Sequence, residues 1–245
     1  MTRYRAFAIH LGISLAIFAV LAYLVLMVWY PDLFFDTDGG WQGMRIIIAV
    51  DLILGPLLTL IVYKHGKPGL KFDLTCIATF QIACLIAGTY LVFSERPLAI
   101  VYVDGQFSAL SQDSFTSVGL DVPDLDHFPG DHPKWIMVDV PDDLFAQADL
   151  RSGTMKKGLR LELVVDRYLP FDSEDPRFKD TPTDIEDILK RDESVQQLPR
   201  WLAQHGGTLN DYRFYPYGTR YKYLYLGYRD STSELLGVLN TPVPM

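Results

Sequence analysis

Met44-Arg45-Ile46-Ile47-Ile48-Ala49-Val50-Asp51-Leu52-Ile53-Leu54-Gly55-Pro56-Leu57-Leu58-Thr59-Leu60-Ile61-Val62-Tyr63 is the stretch that decides how the chain folds. Its length and apolar character suit a helix that crosses a bilayer, for which about 20 residues cover the hydrocarbon core. Asp51 is its one carboxylate. An acid at membrane depth costs at least ~2.5 kcal/mol, so it faces other protein and has either a partner or a task. Gly55-Pro56 follows four residues later. Proline removes a backbone donor, so the helical ladder is interrupted there and the helix bends.

Two further spans flank this one. Ala6 to Tyr30 is apolar apart from His10 and carries no full charge, and Leu74 to Phe93 forms the third run. Arg3 and Arg5 before the first run have the look of a signal-peptide n-region, but the run is longer than an h-region and no small-x-small site precedes Trp29-Tyr30-Pro31. An uncleaved anchor is the expectation. The loop Pro31 to Gly43 has three aspartates and no Lys or Arg, whereas the next loop holds Lys64, Lys67 and Lys71. The positive-inside rule then puts the N-terminus and the lysine loop in the cytoplasm and everything after the third span outside, which in a two-membrane bacterium is the periplasm.

The charge divides the same way. Of 30 acidic and 22 basic residues, the part from Pro97 onward holds 24 and 15, a balance of −9, and the first 96 residues come to +1. An acidic exported half excludes nucleic acid as a partner, because phosphate binding needs a basic face. Both cysteines, Cys76 and Cys84, lie in the third span, about 12 Å apart along one helix, and cannot bridge. They read as small packing residues.

In the exported half, Leu98 to Val103 and Gln106 to Leu110 flank Asp104-Gly105 and read as a hairpin. Ser111 to Pro133 reads as a long loop, Lys134 to Val140 as a strand, and Asp142 to Asp149 as a short helix after Pro141. The alternation of Leu159, Leu161, Leu163 and Val165 favours a strand, and Arg167 to Thr183 is a polar, proline-broken loop. Asp184 to Arg191 and Val195 to Gln204 have helical periodicity, and Tyr212 to Tyr217, Tyr221 to Tyr228 and Leu235 to Leu239 make a closing antiparallel run. The expected fold is therefore a membrane protein with three N-terminal transmembrane α-helices (about 6–30, 44–63 and 74–93) in a region 1–96. An α+β periplasmic domain with an antiparallel sheet follows over 97–245.

Asp51 has two readings. It relays a proton or binds a partner's cation, with Gly55-Pro56 as a hinge, or it bonds a neighbour such as Gln81 in the third span while Pro56 kinks the helix for packing. The second is favoured, because three spans with one acid make a poor transporter. Asp51, Gly55, Pro56, Thr59 and Gln81 are the candidate contacts within the membrane. His10 and Ser14 read as interhelical contacts. Tyr221, Tyr223 and Tyr225 are candidates for a recognition surface, with sheet packing the favoured alternative. Asp126, His127, Asp131 and His132 lie close together but read as a solvated loop, so no metal is expected. No Gly-x-Ser-x-Gly, His-Glu-x-x-His, P-loop or Cys-x-x-Cys string occurs. Neither an enzyme nor a cofactor is expected.

Several ordered strings carry a resemblance. They are Arg3-Tyr4-Arg5-Ala6-Phe7, Trp29-Tyr30-Pro31, Asp51-Leu52-Ile53-Leu54-Gly55-Pro56-Leu57-Leu58-Thr59, Leu70-Lys71-Phe72-Asp73-Leu74 and Glu95-Arg96-Pro97. They resemble the type IV pilin accessory proteins, the TfpX/TfpZ-like family of inner-membrane factors. The likeness runs to about Leu110 and thins beyond it, where Ser233-Glu234-Leu235-Leu236-Gly237 is similar to the family's closing hairpin. It implies a chaperone-like accessory factor in type IV pilus biogenesis. Its partners would be a type IV pilin, other pilus assembly proteins and the lipid bilayer, and the family brings no catalytic residue. The alternative is an extracytoplasmic sensor or signalling subunit acting through a partner, since the cytoplasmic parts are too short to signal alone.

Overall fold

A computed structural model describes residues 2–182 and 197–239. The chain divides into two compact units, Met1–Arg96 and Pro97–Met245.

The first unit holds three helices long and apolar enough to cross a membrane, Arg3–Trp29, Gly40–Val62 and Leu70–Ser94. The Thr2 hydroxyl caps the first by accepting from the Arg5 amide at 3.3 Å. The second and third each start after a glycine in the left-handed region, Gly39 (φ 100°) and Gly69 (φ 78°), where a side chain would be strained. Two segments widen into π-helix, Leu24–Trp29 and Ile48–Leu54. The second abuts Pro56, and the Gly55 amide reaches back five residues to the Val50 carbonyl. A proline cannot supply the amide that regular α-helix requires at its position, and the turn before it has widened. At one end of the unit Gly43 meets Val92 so closely that a Cβ would overlap it, and Tyr30 donates to the Val92 carbonyl at 2.8 Å. Ile13, Ile53, Ile61, Phe80 and Ile86 point outward from the helices. An aliphatic exterior of this kind suits lipid.

The second unit is built on a seven-stranded sheet of order β4-β3-β1-β2-β5-β6-β7. The strands are β1 (Pro97–Val103), β2 (Gln106–Ser111), β3 (Lys134–Val138), β4 (Tyr168–Pro170), β5 (Tyr212–Gly218), β6 (Tyr223–Arg229) and β7 (Glu234–Leu239). β1 and β2 form the expected hairpin, with Asp104 (φ 53°) and Gly105 (φ 77°) in the turn. Two left-handed residues give the turn whose twist matches the strands. Arg151 grips Asp104 with two bonds of 2.7 and 2.8 Å.

The sheet is mixed, which corrects the antiparallel expectation. β1 pairs with β3 and β2 with β5 in parallel, the other four pairs being antiparallel. Parallel pairs need long crossovers, and the stretches joining β2 to β3 and β4 to β5 supply them. β1 is central and buried at all seven positions. That is why Leu98 to Val103 is a continuous apolar run.

One face of the sheet carries a mostly aliphatic cluster that includes Val101, Leu110, Ile136 and Leu163, with Phe115 among them. The expected strand at 158–165 is absent. Leu161–Leu163 and Val165–Arg167 are single 3₁₀ turns whose leucines pack into this cluster. β4 takes the edge beside β3, within the segment read as a loop. The helix read as 142–149 runs from Leu144 to Lys156, with Asp143 as its cap, bonded to the Ala146 amide at 2.9 Å.

The opposite face is aromatic. Phe107 is 1% exposed and has six rings around it, those of Tyr102, Trp135, Phe171, Phe178, Tyr215 and Tyr228, at centroid distances of 5.0 to 6.0 Å. Phe178 enters on the short helix Pro176–Lys179, which Asp175 caps and Arg177 fastens to Asp175 and Asp139 at 2.7 and 3.0 Å. The Arg177 bond also holds the Asp175 carboxyl below its ordinary range. A third cluster joins Trp201 and Leu198, on the helix Gln197–His205, to Tyr212, Phe214, Tyr225 and Leu239. The helix read as Asp184 to Arg191 lies outside the described residues.

Burial pushes the phenols of Tyr102, Tyr168, Tyr215 and Tyr228 above the ordinary value of 10. The unfolded chain therefore sheds phenol protons at a lower pH than the native one. The stability this represents is complete below pH 10 and is lost as pH rises above it. In an alkaline titration of the full-length protein in detergent, phenolate absorbance and loss of the near-ultraviolet dichroism are expected to rise together above pH 10. Full ionisation of the tyrosines near pH 10 with the fold retained would contradict the burial.

Candidate functional site

The polar residues of the first unit gather where its three helices meet. His10 faces Thr59 and Gln81, with Nδ1 2.6 Å from Thr59 Oγ1 and Nε2 2.8 Å from Gln81 Oε1. Gln81 Nε2 donates to Ser14 Oγ at 3.3 Å and to the Asp51 backbone carbonyl at 3.2 Å. Thr59 donates to the Gly55 carbonyl at 3.2 Å. One glutamine thus ties the third helix to both others, and His10 ties the first to the second.

The donors and acceptors fix the orientations. Flipping the Gln81 amide would set its oxygen against the Asp51 carbonyl oxygen, so Nε2 is the atom facing Asp51 and Oε1 accepts from His10. His10 Nε2 therefore carries a proton. Nδ1 lies against the Thr59 hydroxyl, so neither ring nitrogen of His10 is left without a partner.

Each sequence candidate within the helices lies here. Asp51, 3% exposed, sits in the π-helical turn, eleven residues from either end of its helix. That is deeper than the two turns implied by a start at Met44. Its Oδ1 has no hydrogen-bond partner. Gly55 admits the Gln81 amide, which any Cβ would overlap, and Pro56 and Thr59 are buried beside it. His10 and Ser14, read only as contacts, are members of the same cluster as the candidates. Their spacing of one turn was the available signal. A cavity of about 400 Å³ opens between the first and third helices, with Ile9, Ile13, Ile17 and Ile82 on its walls and Asp51, His10 and Gln81 lining it too.

Gly55→Val is expected to expel the Gln81 amide and destabilise the helical unit by about 1–3 kcal/mol, the usual cost of overpacking. Unfolding of the purified variant in mixed detergent measures it. A midpoint equal to that of the parent protein would mean that Gln81 does not sit against Gly55.

The sheet domain is less convergent. Tyr221 and Tyr223 are 42% and 38% exposed, while Tyr225 is 8% exposed and packs against the Trp201 cluster, so the three do not share one surface. His132 lies 3.3 Å from Asp126, both exposed, and the His127 ring lies tilted against Phe128 with centroids 4.2 Å apart. No group of three or more metal-ligating side chains gathers among the described residues.

Fold and site together define a class: three membrane-length helices tied by side-chain hydrogen bonds, with a separately packed sheet domain. A family model described as fimbrial assembly protein FimB matches residues 1–34. Among curated proteins of Dichelobacter nodosus, the fimbrial assembly protein of serogroups C1 and C2 is 35% identical over 97 residues, 38% of this chain and 73% of its own length. The serogroup I protein is 34% identical over 107 residues, covering 42% of this chain and 41% of its own, and the serogroup E1 protein 33% over 97 residues, covering 38% and 37%. The match thus spans about two fifths of the length of those last two relatives. No solved structure matches the chain. The chain belongs to the fimbrial assembly protein family.

Proposed function

We propose that this protein is a non-enzymatic accessory factor of type IV pilus biogenesis. It sits in the bacterial inner membrane with its N-terminus in the cytoplasm and its sheet domain in the periplasm, and it assists a pilin before or during assembly. The observation that carries this is the membership in a family of fimbrial assembly proteins of a chain with three membrane-length helices and a separate sheet domain. A subunit waiting in a membrane with a helix in lipid and a head outside calls for a helper with both kinds of surface. The charge asymmetry of the loops supports the orientation. The placement of His10, Ser14, Thr59 and Gln81 supports a structural task for the polar groups, since each has a protein partner.

The test is surface-exposed against total cellular pilin in a strain lacking the gene, with a complemented control. Surface pilin is expected to fall while a membrane pool persists. Unchanged surface pilin would overturn the proposal.

A further inference from the structure

We infer that the end of the helical unit carrying Arg3, Arg5, Lys64 and Lys71 is a binding surface for the phosphate headgroups of anionic phospholipids. The inference rests on the proposed placement of the helices in a membrane and on nothing about the pilin.

The helices bring these four side chains to one level. From the contact of His10 with Thr59 and Gln81, Arg5 and Arg3 lie five and seven residues back along the first helix, Lys64 lies five residues beyond Thr59, and Lys71 ten residues back along the third helix. The helices alternate in direction, so all of these steps run the same way, by about 7 to 15 Å at 1.5 Å per residue. Ala6, Tyr63 and Leu74, each one to three residues inside the cations, line one cavity together.

The charge at this end is lopsided. Five basic side chains, with Lys67 as the fifth, stand against one acid, Asp73, and Lys67 closes on it at 2.6 Å. The other four are exposed and have no ion pair among the described residues. The opposite end holds Asp32, Asp36, Asp38 and Glu95 against Arg45 and Arg96, so the balance is +4 at one end and −2 at the other.

Two rings mark the depth. Tyr4 and Phe72, next in sequence to the cations, are each 72% exposed. Outward aromatic rings at the ends of membrane helices sit among the lipid headgroups, the level of the phosphates. Cations held there meet phosphate as their nearest counter-ion. A zwitterionic headgroup offsets its phosphate with an amine, whereas an anionic one does not, so the surface selects anionic lipid. One Lys or Arg near a charged membrane surface is worth about a fivefold preference. Because the four come from three separate segments at the rim, they meet several headgroups of the surrounding lipid rather than one soluble ligand.

The test uses the full-length protein reconstituted in phosphatidylcholine bilayers that carry either spin-labelled phosphatidylglycerol or spin-labelled phosphatidylcholine. The motionally restricted part of the spectrum reports lipid held at the protein. Phosphatidylglycerol is expected to be held about fivefold more strongly at low salt, approaching parity as salt rises. Arg3→Gln, Arg5→Gln, Lys64→Gln and Lys71→Gln combined are expected to bring the two lipids to parity at low salt. Lys156→Gln with Lys157→Gln, at exposed cations of the sheet domain, is expected to leave the preference unchanged. Parity in the parent protein, a preference that survives the fourfold variant, or one that disappears in the Lys156 and Lys157 variant would overturn the proposal. Inorganic phosphate that displaces the lipid more than chloride of equal ionic strength would assign the surface to free phosphate and overturn it as well. Should the fourfold variant fail to reconstitute, the parent protein's preference and its salt series decide alone. A spectrum with no restricted part would overturn the membrane placement itself. Surface pilin in the deletion strain is read separately, so loss of the lipid preference leaves the pilus role standing.

Discussion

Phe107→Ala is expected to cost the sheet domain about 3–5 kcal/mol, the range for removing a buried aromatic ring. Phe107 is nearly inaccessible and stands among six other rings contributed by β1, β3, β5, β6 and the stretch 171–178. Its loss opens a void that backbone from five places would have to close. A domain of this size has about 5–15 kcal/mol of stability, so the change removes a large share. The melting transition of the near-ultraviolet signal should fall by about 10 °C, while helical dichroism from the first unit persists. Phe107→Leu should cost less than half as much, because most of the volume remains. A shift below about 2 °C for the alanine variant would refute the packing.

Gln81→Leu is expected to weaken the helical unit by about 2 kcal/mol. The residue makes three hydrogen bonds, to His10, Ser14 and the Asp51 carbonyl, and such bonds between membrane helices average ~0.6 kcal/mol each. A deficit of that size lowers steady-state abundance several-fold through quality-control proteolysis, with surface pilin falling in step. His10→Leu combined with Gln81→Leu should cost clearly less than the sum of the two, because removing both partners leaves no stranded group between them. Strict additivity would show that the 2.8 Å bond contributes nothing.

Much of the helical unit was legible because lipid imposes simple rules. Long apolar runs mark the spans, lone polar residues within them mark contacts, and Gly55-Pro56 marks a break. Which polar groups meet was less legible. His10 and Gln81 are 71 residues apart, and no periodicity within one helix reports the rotation of another. The break at Pro56 was readable, but not that it resolves as a widened turn.

In the sheet domain the hairpin at Asp104-Gly105 and the three closing strands follow from local turn chemistry and alternation. The parallel pairs do not, since β1 with β3 and β2 with β5 are joined through long crossovers. Phe171 and Phe178 were hidden by their setting. They are apolar residues in a stretch of Asp, Glu, Pro and Lys, and composition says loop while two rings sit in the core. The Leu159 to Val165 alternation misled for the opposite reason. Leucines laid over a sheet face need only point inward, and single 3₁₀ turns allow that as well as a strand does.

The widened turn at Ile48–Leu54 also sets the angular phase of the second helix. An i→i−5 turn accommodates one residue more than an α-turn, so deleting a single residue such as Ile53 would let the segment close into regular helix. The residues beyond would keep their faces, with Thr59 still against His10 and Gly55 against Gln81, whereas deleting Leu57 from the regular helix that follows would swing Thr59 away from His10 by about 100°. The widened turn absorbs the extra residue, and register between the two ends of one helix is what brings three distant polar side chains into a single cluster.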